Sequence, residues 1–112
     1  MITTNELTSK LGLKALTKEA AGRELTSGYN CDLLSWVLAH GQAGMVWVTV
    51  QTHMNVVAVA SLLDFACIIL PDNLSLEPDA LAKADEEGVA VFTSERTSYE
   101  ICGTMWDMGI GR

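Results

Sequence analysis

Three short apolar runs in the second half of the chain constrain its fold more than any other feature. They read MVWVTV (45–50), FACIIL (65–70) and VAVFT (89–93). Their apolar residues are continuous, as is typical of strands buried on both faces of a parallel sheet. Segments with helical patterning, NVVAVASLLD and LEPDALAKADEE, lie between them. The sequence therefore predicts an α/β fold, with a mostly parallel sheet and helices on both faces.

Capping residues predict where the helices begin and end. Thr3 and Thr97 each have a glutamate three residues later, which is the capping-box pattern of a helix start. Asp32 and Ser75 are predicted to cap the helices that follow them. Glycines are predicted to end three helices, at Gly12, Gly41 and Gly88. Two further short strands are expected, over residues 13–16 and near residues 23–26.

Length, charge and cysteine content limit the class of protein. The chain has 112 residues, is 49% hydrophobic and carries a formal net charge of −7. This charge disfavours nucleic acid and acidic membranes as partners, and no apolar run is long enough to span a bilayer. The three cysteines are widely separated and odd in number, which favours a reducing compartment. We expect one domain over residues 1–112, in the cytoplasm.

Two helices are apolar on more faces than one sheet can cover. In NVVAVASLL and DLLSWVLA, apolar residues point in nearly every direction around the helix axis. We therefore predict a homodimer in which a second copy covers the remaining face. The predicted interface residues are Trp36, Val57, Ala58, Ala60 and Ser61. The alternative is that the amino-terminal segment of the same chain covers these helices.

Polar segments follow each of the three predicted strands. The carboxyl ends of parallel strands share one edge of a sheet, and the helix starts that follow offer free N–H donors. We expect a small anion, such as a nucleotide phosphate, to bind at this edge. The candidate ligand-binding residues are Gln51, Thr52, His53, Asn55, Asp72, Thr93, Ser94 and Arg96. The alternative is that these residues only cap helices and close turns.

The residues do not predict catalysis or a metal site. His53 has the chemistry of a general base, but the spacing pairs it with no nucleophile. His40 ends a helix, where an imidazolium favours the helix dipole. Cys31 precedes a helix start, which leaves a redox role open. Zinc and iron–sulfur sites need clustered ligands, which these spacings do not offer, so we expect no metal and no cofactor.

The order of the segments resembles the DRTGG domain family. The resemblance rests on SGYNCDLLSWVLAH, VWVTVQTHMNVVAVASLLDFACIIL and DEEGVAVFTSERTSYEI, and it covers residues 5–108. It implies a fold similar to the amino-terminal, non-catalytic domain of HPr kinase/phosphorylase. It also implies a non-enzymatic regulatory or assembly module, a single DRTGG-like domain associated with a metabolic enzyme system.

Two other functions follow from the same resemblance and the sheet edge. One is a small-ligand sensor that binds an adenine nucleotide or another anion. The other is an accessory protein of an iron-hydrogenase system. Kinase activity is rejected, because the sequence contains no GxxxxGK[ST] string to hold the phosphates of a nucleotide substrate.

Overall fold

The strands form one five-stranded sheet in the order β1-β5-β4-β3-β2. A computed structural model describes residues 1–18 and 22–111. In these residues the elements are α1 (Thr4–Leu11), β1 (Lys14–Ala15), β2 (Ser27–Asn30), α2 (Leu34–His40), β3 (Met45–Val48), α3 (Met54–Leu62), β4 (Cys67–Leu70), α4 (Pro78–Glu87), β5 (Val91–Thr93) and α5 (Ser98–Asp107). Strands β2 to β5 are parallel, and β1 runs antiparallel to β5. The expected α/β fold with a mostly parallel sheet is confirmed.

The strand order decides which face each helix covers. Strands β2, β3, β4 and β5 are neighbours in chain order. Right-handed crossovers that all step in one direction place their helices on the same face, so α2, α3 and α4 share one side of the sheet. Helices α1 and α5 cover the other side.

Alternate residues of the central strands pack into two hydrophobic cores, one on each face of the sheet. Trp47 and Ile68 face α2, α3 and α4, whereas Val46 and Ile69 face α1 and α5. All four side chains are fully buried. Side chains alternate between faces along a strand, so an uninterrupted apolar run is what a sheet with two covered faces requires.

Helix α3 is apolar in nearly every direction because it is the middle helix of its layer. It packs against the sheet below and against α2 and α4 on its two sides. Val57 and Ala60 are accordingly buried inside the domain, at 0% and 1% exposure. They are already covered by the chain's own residues, so we remove both from the predicted interface.

Some predicted helix caps are wrong and others are confirmed. Thr97 begins α5 with both hydrogen bonds of a capping box, and the Thr3 hydroxyl accepts the Glu6 N–H at the start of α1. Neither Asp32 nor Ser75 caps a helix, because α2 and α4 begin after Leu33 and Glu77 without a side-chain cap. The three predicted glycine ends are confirmed: they are Gly12, Gly41 and Gly88.

The strand predicted near residues 23–26 is displaced, since β2 begins at Ser27 and the predicted range contains an isolated β-bridge, between Glu24 and Thr3. The backbone just before β2 pairs instead with the start of the chain. Thr4 N–H donates to the Arg23 carbonyl, and Leu25 N–H donates to the Ile2 carbonyl, each at 2.9 Å. The predicted strand at residues 13–16 is confirmed as the two-residue β1. The longest helices of the described ranges have ten residues, and none is long and apolar enough to cross a membrane.

Candidate functional site

The carboxyl ends of β2 to β5 meet at one edge of the sheet, as expected for parallel strands. Because β1 is antiparallel, its first residue, Lys14, lies at this same edge, opposite Thr93. The candidate ligand-binding residues fall into two groups along the edge. One group follows β3, and the other follows β4 and β5.

In the group after β3, the Gln51 side chain and the Thr52 backbone connect neighbouring segments of the edge. The Gln51 side-chain amide donates to the Asp32 carbonyl at 3.0 Å, and Gln51 N–H donates to the Thr49 hydroxyl at 3.2 Å. The Thr52 carbonyl accepts the Glu77 N–H at 3.0 Å, which ties this loop to the start of α4. One N–H of the Gln51 side-chain amide is therefore used within the chain.

Asp32 closes the ends of β2 and β3, which is its role in place of the predicted helix cap. Its Oδ1 accepts the Thr49 hydroxyl at 2.8 Å and the Val50 N–H at 2.9 Å. A carboxylate that accepts two hydrogen bonds at a strand end fixes the direction in which the chain leaves the sheet. The polar residues here therefore shape the turn.

His53 and Asn55 lie beside this turn at the start of α3. His53 is the N-cap residue, but its side chain makes no capping hydrogen bond, and Asn55 is exposed in the first turn. Thr52 is not the N-cap of α3 either. Within the described residues, no nucleophilic side chain lies within hydrogen-bond distance of His53.

The loops after β4 and β5 are bonded to each other. Asp72 N–H donates to the Arg96 carbonyl at 2.9 Å, and Asn73 N–H donates to the Ser94 carbonyl at 2.7 Å. The Thr93 hydroxyl donates to the Leu74 carbonyl at 2.6 Å. Asp72 and Asn73 both have positive φ, at 55° and 59°. Two successive non-glycine residues in this region are uncommon, and each costs on the order of 1 kcal/mol.

The chain leaves β4 and β5 toward opposite faces of the sheet. After β4 it continues to α4, which packs with α2 and α3, and after β5 it continues to α5, which packs with α1. Diverging connections of this kind open a crevice at the carboxyl edge, where α/β proteins bind ligands. A cavity of about 320 Å³, which we call the edge cavity, lies there. Its lining residues are Leu11, Gly12, Lys14, Asn73, Thr93, Ser94, Glu95 and Arg96.

The edge cavity combines predicted and unexpected residues. Thr93, Ser94 and Arg96 were candidates from the sequence. Lys14 and Asn73 were not, although both line the cavity. The sequence indicated a strand at Lys14, but it did not show that this strand is antiparallel and pairs with β5. Thr93 and Ser94 are nearly buried, at 5% and 4% exposure, whereas the two cations are exposed.

A second feature lies on the layer of α2 and α3, away from the edge cavity. Nine large hydrophobic side chains of the described residues are exposed, and six of them lie between residues 33 and 62. Helix α2 buries just one residue, Val37. We define the α2–α3 surface as the exposed side chains Leu33, Trp36, Leu38, Val50, Met54, Ala58, Ser61 and Leu62.

The α2–α3 surface comes from a segment without formal charge. Residues 33–63 contain no Asp, Glu, Lys or Arg, although the whole chain has 21 such residues. The two histidines, His40 and His53, are the ionisable groups in this segment. This long uncharged interval is visible in the sequence, and it marks the surface better than the apolar periodicity from which the interface was predicted.

Trp36 is the largest side chain of the α2–α3 surface. It is 54% exposed, and its ring lies 4.3 Å from the His40 ring, centroid to centroid. His40 Nδ1 lies 2.9 Å from the Trp36 carbonyl oxygen, so the imidazole binds the last turn of α2, where a helix-end role was predicted. Ala58 and Ser61 are exposed on α3. The three exposed members of the predicted interface, Trp36, Ala58 and Ser61, therefore share one layer of the fold.

The cysteines lie in three different environments. Cys67 is fully buried in β4, and burial raises the pKa of its thiol to about 12. Partial burial on α5 also raises the pKa of Cys102. Cys31 is half-buried, and its Sγ lies 3.8 Å from the Leu33 carbonyl oxygen. Within residues 1–18 and 22–111, no group of three or more His, Cys, Asp or Glu side chains is arranged to hold a metal ion.

Comparison with known proteins relates this fold to a regulatory region. No protein-family model matches the sequence, and no curated protein matches it. A crystal structure of the CBS and DRTGG domains of the regulatory region of Clostridium perfringens pyrophosphatase, complexed with the activator diadenosine tetraphosphate, is similar in fold. The TM-score is 0.70 at 10% sequence identity, over 88% of this chain and 44% of that one, so this chain spans less than half of its length. The present chain therefore has an α/β fold similar to that of a region that contains a DRTGG domain.

Proposed function

We propose that this chain is a cytoplasmic regulatory or assembly module that acts by binding and not by catalysis, and that it forms a homodimer through the α2–α3 surface. The observation that carries this proposal is the concentration of exposed apolar side chains on a surface without formal charge. Large exposed apolar patches on soluble domains are typical of protein-binding surfaces.

The charge distribution favours a second copy of the chain as the occupant. Two molecules of net charge −7 repel each other unless they meet where the charge is absent. The side chains that form the α2–α3 surface carry no formal charge, and in the sequence the nearest acidic residues are Asp32 and Asp64. Trp36, a half-exposed tryptophan of this surface, has the size and apolar area typical of an interface anchor.

Two observations support a role other than catalysis. His53, the one candidate base at the sheet edge, has no nucleophile beside it in the described part of the chain. The similar fold belongs to a regulatory region, and the similarity is one of fold alone. The resemblance to the DRTGG family supports the same role, in a single DRTGG-like domain that serves a metabolic enzyme system.

The sedimentation behaviour of the purified chain tests the homodimer. We expect the wild type to sediment as a dimer at micromolar concentration. Trp36→Glu places a charge on the α2–α3 surface and should give a monomer with an unchanged circular dichroism spectrum. Tyr99→Glu is the matched control, because Tyr99 is 88% exposed on α5, on the opposite face of the sheet. A monomeric wild type, or a dimer that persists in Trp36→Glu, would refute the proposal.

Co-purification tests the proposed association with a metabolic enzyme. A tagged chain, expressed in its natural host, should retain subunits of one metabolic enzyme in stoichiometric amount. The iron-hydrogenase alternative predicts hydrogenase subunits in particular. Loss of the same subunits with Trp36→Glu, and their retention with Tyr99→Glu, would indicate that partner binding requires the homodimer. If no subunit is retained at stoichiometric level, the assembly role is wrong.

The edge cavity favours a second function, that of a small-ligand sensor. Its position between diverging connections is where α/β folds bind ligands. Thermal unfolding in the presence of adenine nucleotides, from the monophosphate to diadenosine tetraphosphate, provides the test. We expect at least one of them to raise the midpoint. A midpoint unchanged by every nucleotide would remove this second function.

A further inference from the structure

We infer that the edge cavity binds the phosphate group of a small phosphate monoester, held by Lys14, Asn73 and Arg96, and that it does not recognise a base. This inference rests on the ligand-sensor function above and specifies its ligand. The three residues come from the start of β1, from the loop after β4 and from the loop after β5. They converge on one cavity although they are widely separated in the sequence.

The donors of these three side chains are not engaged elsewhere. Within the described ranges, the side chains of Lys14, Asn73 and Arg96 make no hydrogen bond and no ion pair. Two other described cations, by contrast, are paired. Arg23 binds Asp64 at 2.9 Å, and Lys83 lies 3.1 Å from Glu87. An anion can therefore bind Lys14 and Arg96 at the edge cavity without first breaking an ion pair with a carboxylate.

The charge of the cavity lining is opposite in sign to that of the whole chain. Lys14 and Arg96 provide two positive charges against the one negative charge of Glu95, whereas the chain carries −7. Glu100 lies near enough for the Arg96 charge to lower its pKa slightly, although hydrogen bonds from Thr97 lower it more. The positive excess at the cavity is therefore modest, and it suits one phosphate group better than a chain of several.

The lining predicts which part of a ligand is recognised. An arginine fork binds phosphate oxygens in pairs, and a lysine adds a point charge. The Asn73 amide supplies a further donor. The eight lining residues include no aromatic side chain on which a nucleobase could stack. A phosphate monoester with or without a base should therefore bind equally well.

Calorimetric titrations at constant ionic strength test this inference on the purified full chain. The probes are ribose 5-phosphate, adenosine monophosphate, adenosine and ribose. We expect the two phosphorylated compounds to bind with similar affinity, and the two without phosphate not to bind. Because each cation contributes a charge-assisted contact, Lys14→Ala and Arg96→Ala should each weaken binding about tenfold. Glu95→Gln should strengthen it, because it removes the one carboxylate of the lining.

Lys10→Ala is the matched control, because Lys10 is an exposed cation on α1 that does not line the edge cavity. It should leave the affinity unchanged. If Lys10→Ala and Arg96→Ala weaken binding equally, the effect is one of overall charge and the site is wrong. Binding of adenosine as tightly as its monophosphate would also overturn the inference. Nucleotide binding that is insensitive to Lys14→Ala and Arg96→Ala would move the sensor site elsewhere, and no binding of any compound would remove the sensor function as well.

Discussion

Thr17 joins the segment after β1 to the edge of β5, and Thr17→Val tests how much this contact stabilises the sheet. Strand β1 ends at Ala15, so the outward backbone groups of β5 need another partner. The Thr17 hydroxyl supplies one, because it donates to the Val89 carbonyl and accepts the Val91 N–H, each at 3.1 Å. Thr17 is 7% exposed and Val91 is fully buried. This one side chain takes the place of a further pair of strand residues.

Valine has nearly the shape of threonine, so Thr17→Val removes the hydrogen bonds and keeps the packing. Each neutral hydrogen bond contributes about 1 kcal/mol net, and a buried N–H left without a partner costs about 1–3 kcal/mol. The buried Val91 N–H loses its partner in this variant. Since these terms overlap, we expect the free energy of unfolding to fall by about 2 kcal/mol. For a chain of this size the melting temperature should fall by about 8–12 °C.

Urea denaturation monitored by tryptophan fluorescence measures this change. Thr8→Val is the matched control, because the Thr8 hydroxyl donates to the Thr4 carbonyl within α1, at 2.7 Å. Such bonds to the preceding turn of a helix add little stability, so this variant should change the free energy by less than about 0.5 kcal/mol. If the urea midpoints of Thr17→Val and Thr8→Val agree within error, the Thr17 hydroxyl does not stabilise the sheet and our reasoning is wrong.

Two further predictions follow from the titrating groups. Burial raises the pKa of Cys67 to about 12, so iodoacetamide at neutral pH should label Cys31 first, Cys102 more slowly and Cys67 only after unfolding. Mass spectrometry of the peptides measures this order, and labelling of Cys67 in the folded protein would contradict its burial. Hydrogen bonds from Thr97 lower the pKa of Glu100, so their contribution to stability is complete above the unfolded-state pKa and is lost as the pH falls through the lower folded-state pKa. Between about pH 5 and pH 3 the wild type should therefore lose more stability than Glu100→Gln in urea titrations, and equal losses would rule out this contact as the cause.

Local patterns predicted the elements of this fold well, because they depend on neighbouring residues. The Thr97 capping box needs just residues 97–100, and both of its hydrogen bonds form. The apolar runs marked β3, β4 and β5, since a strand covered on both faces cannot alternate apolar and polar residues. One cap was predicted wrongly because residues distant in the sequence compete for its side chain. Asp32 fits the pattern of a helix cap, but the ends of β2 and β3 use its carboxylate instead.

Val57 and Ala60 were assigned to the predicted interface for a different reason. The periodicity of α3 showed that this helix needs cover on several faces, but it did not show what provides the cover. In the structure α2 and α4 provide it, and Val57 and Ala60 are buried without a partner chain. The absence of charged residues between 33 and 63 indicates which exposed positions form an interface. Burial within the chain explains apolar residues at buried positions, but it does not explain why the exposed positions of the same segment are also uncharged. Trp36, Ala58 and Ser61 occupy such exposed positions.

The choice among the three polar segments at the carboxyl edge depends on strand order, which no local pattern contains. All three segments follow parallel strands and precede helices, so their position does not distinguish them as ligand sites. Composition then favours the segment with His53, because it combines a histidine and an asparagine at a helix start. The connections after β2 and β3 leave toward the same face of the sheet, and Asp32 and Gln51 bond these two loops to each other. The connections diverge at β5, where the chain crosses to α5, and there the antiparallel β1 brings Lys14 beside Arg96. The position that we propose for the ligand therefore follows from where the chain changes faces, and for this reason we propose the edge cavity in preference to His53.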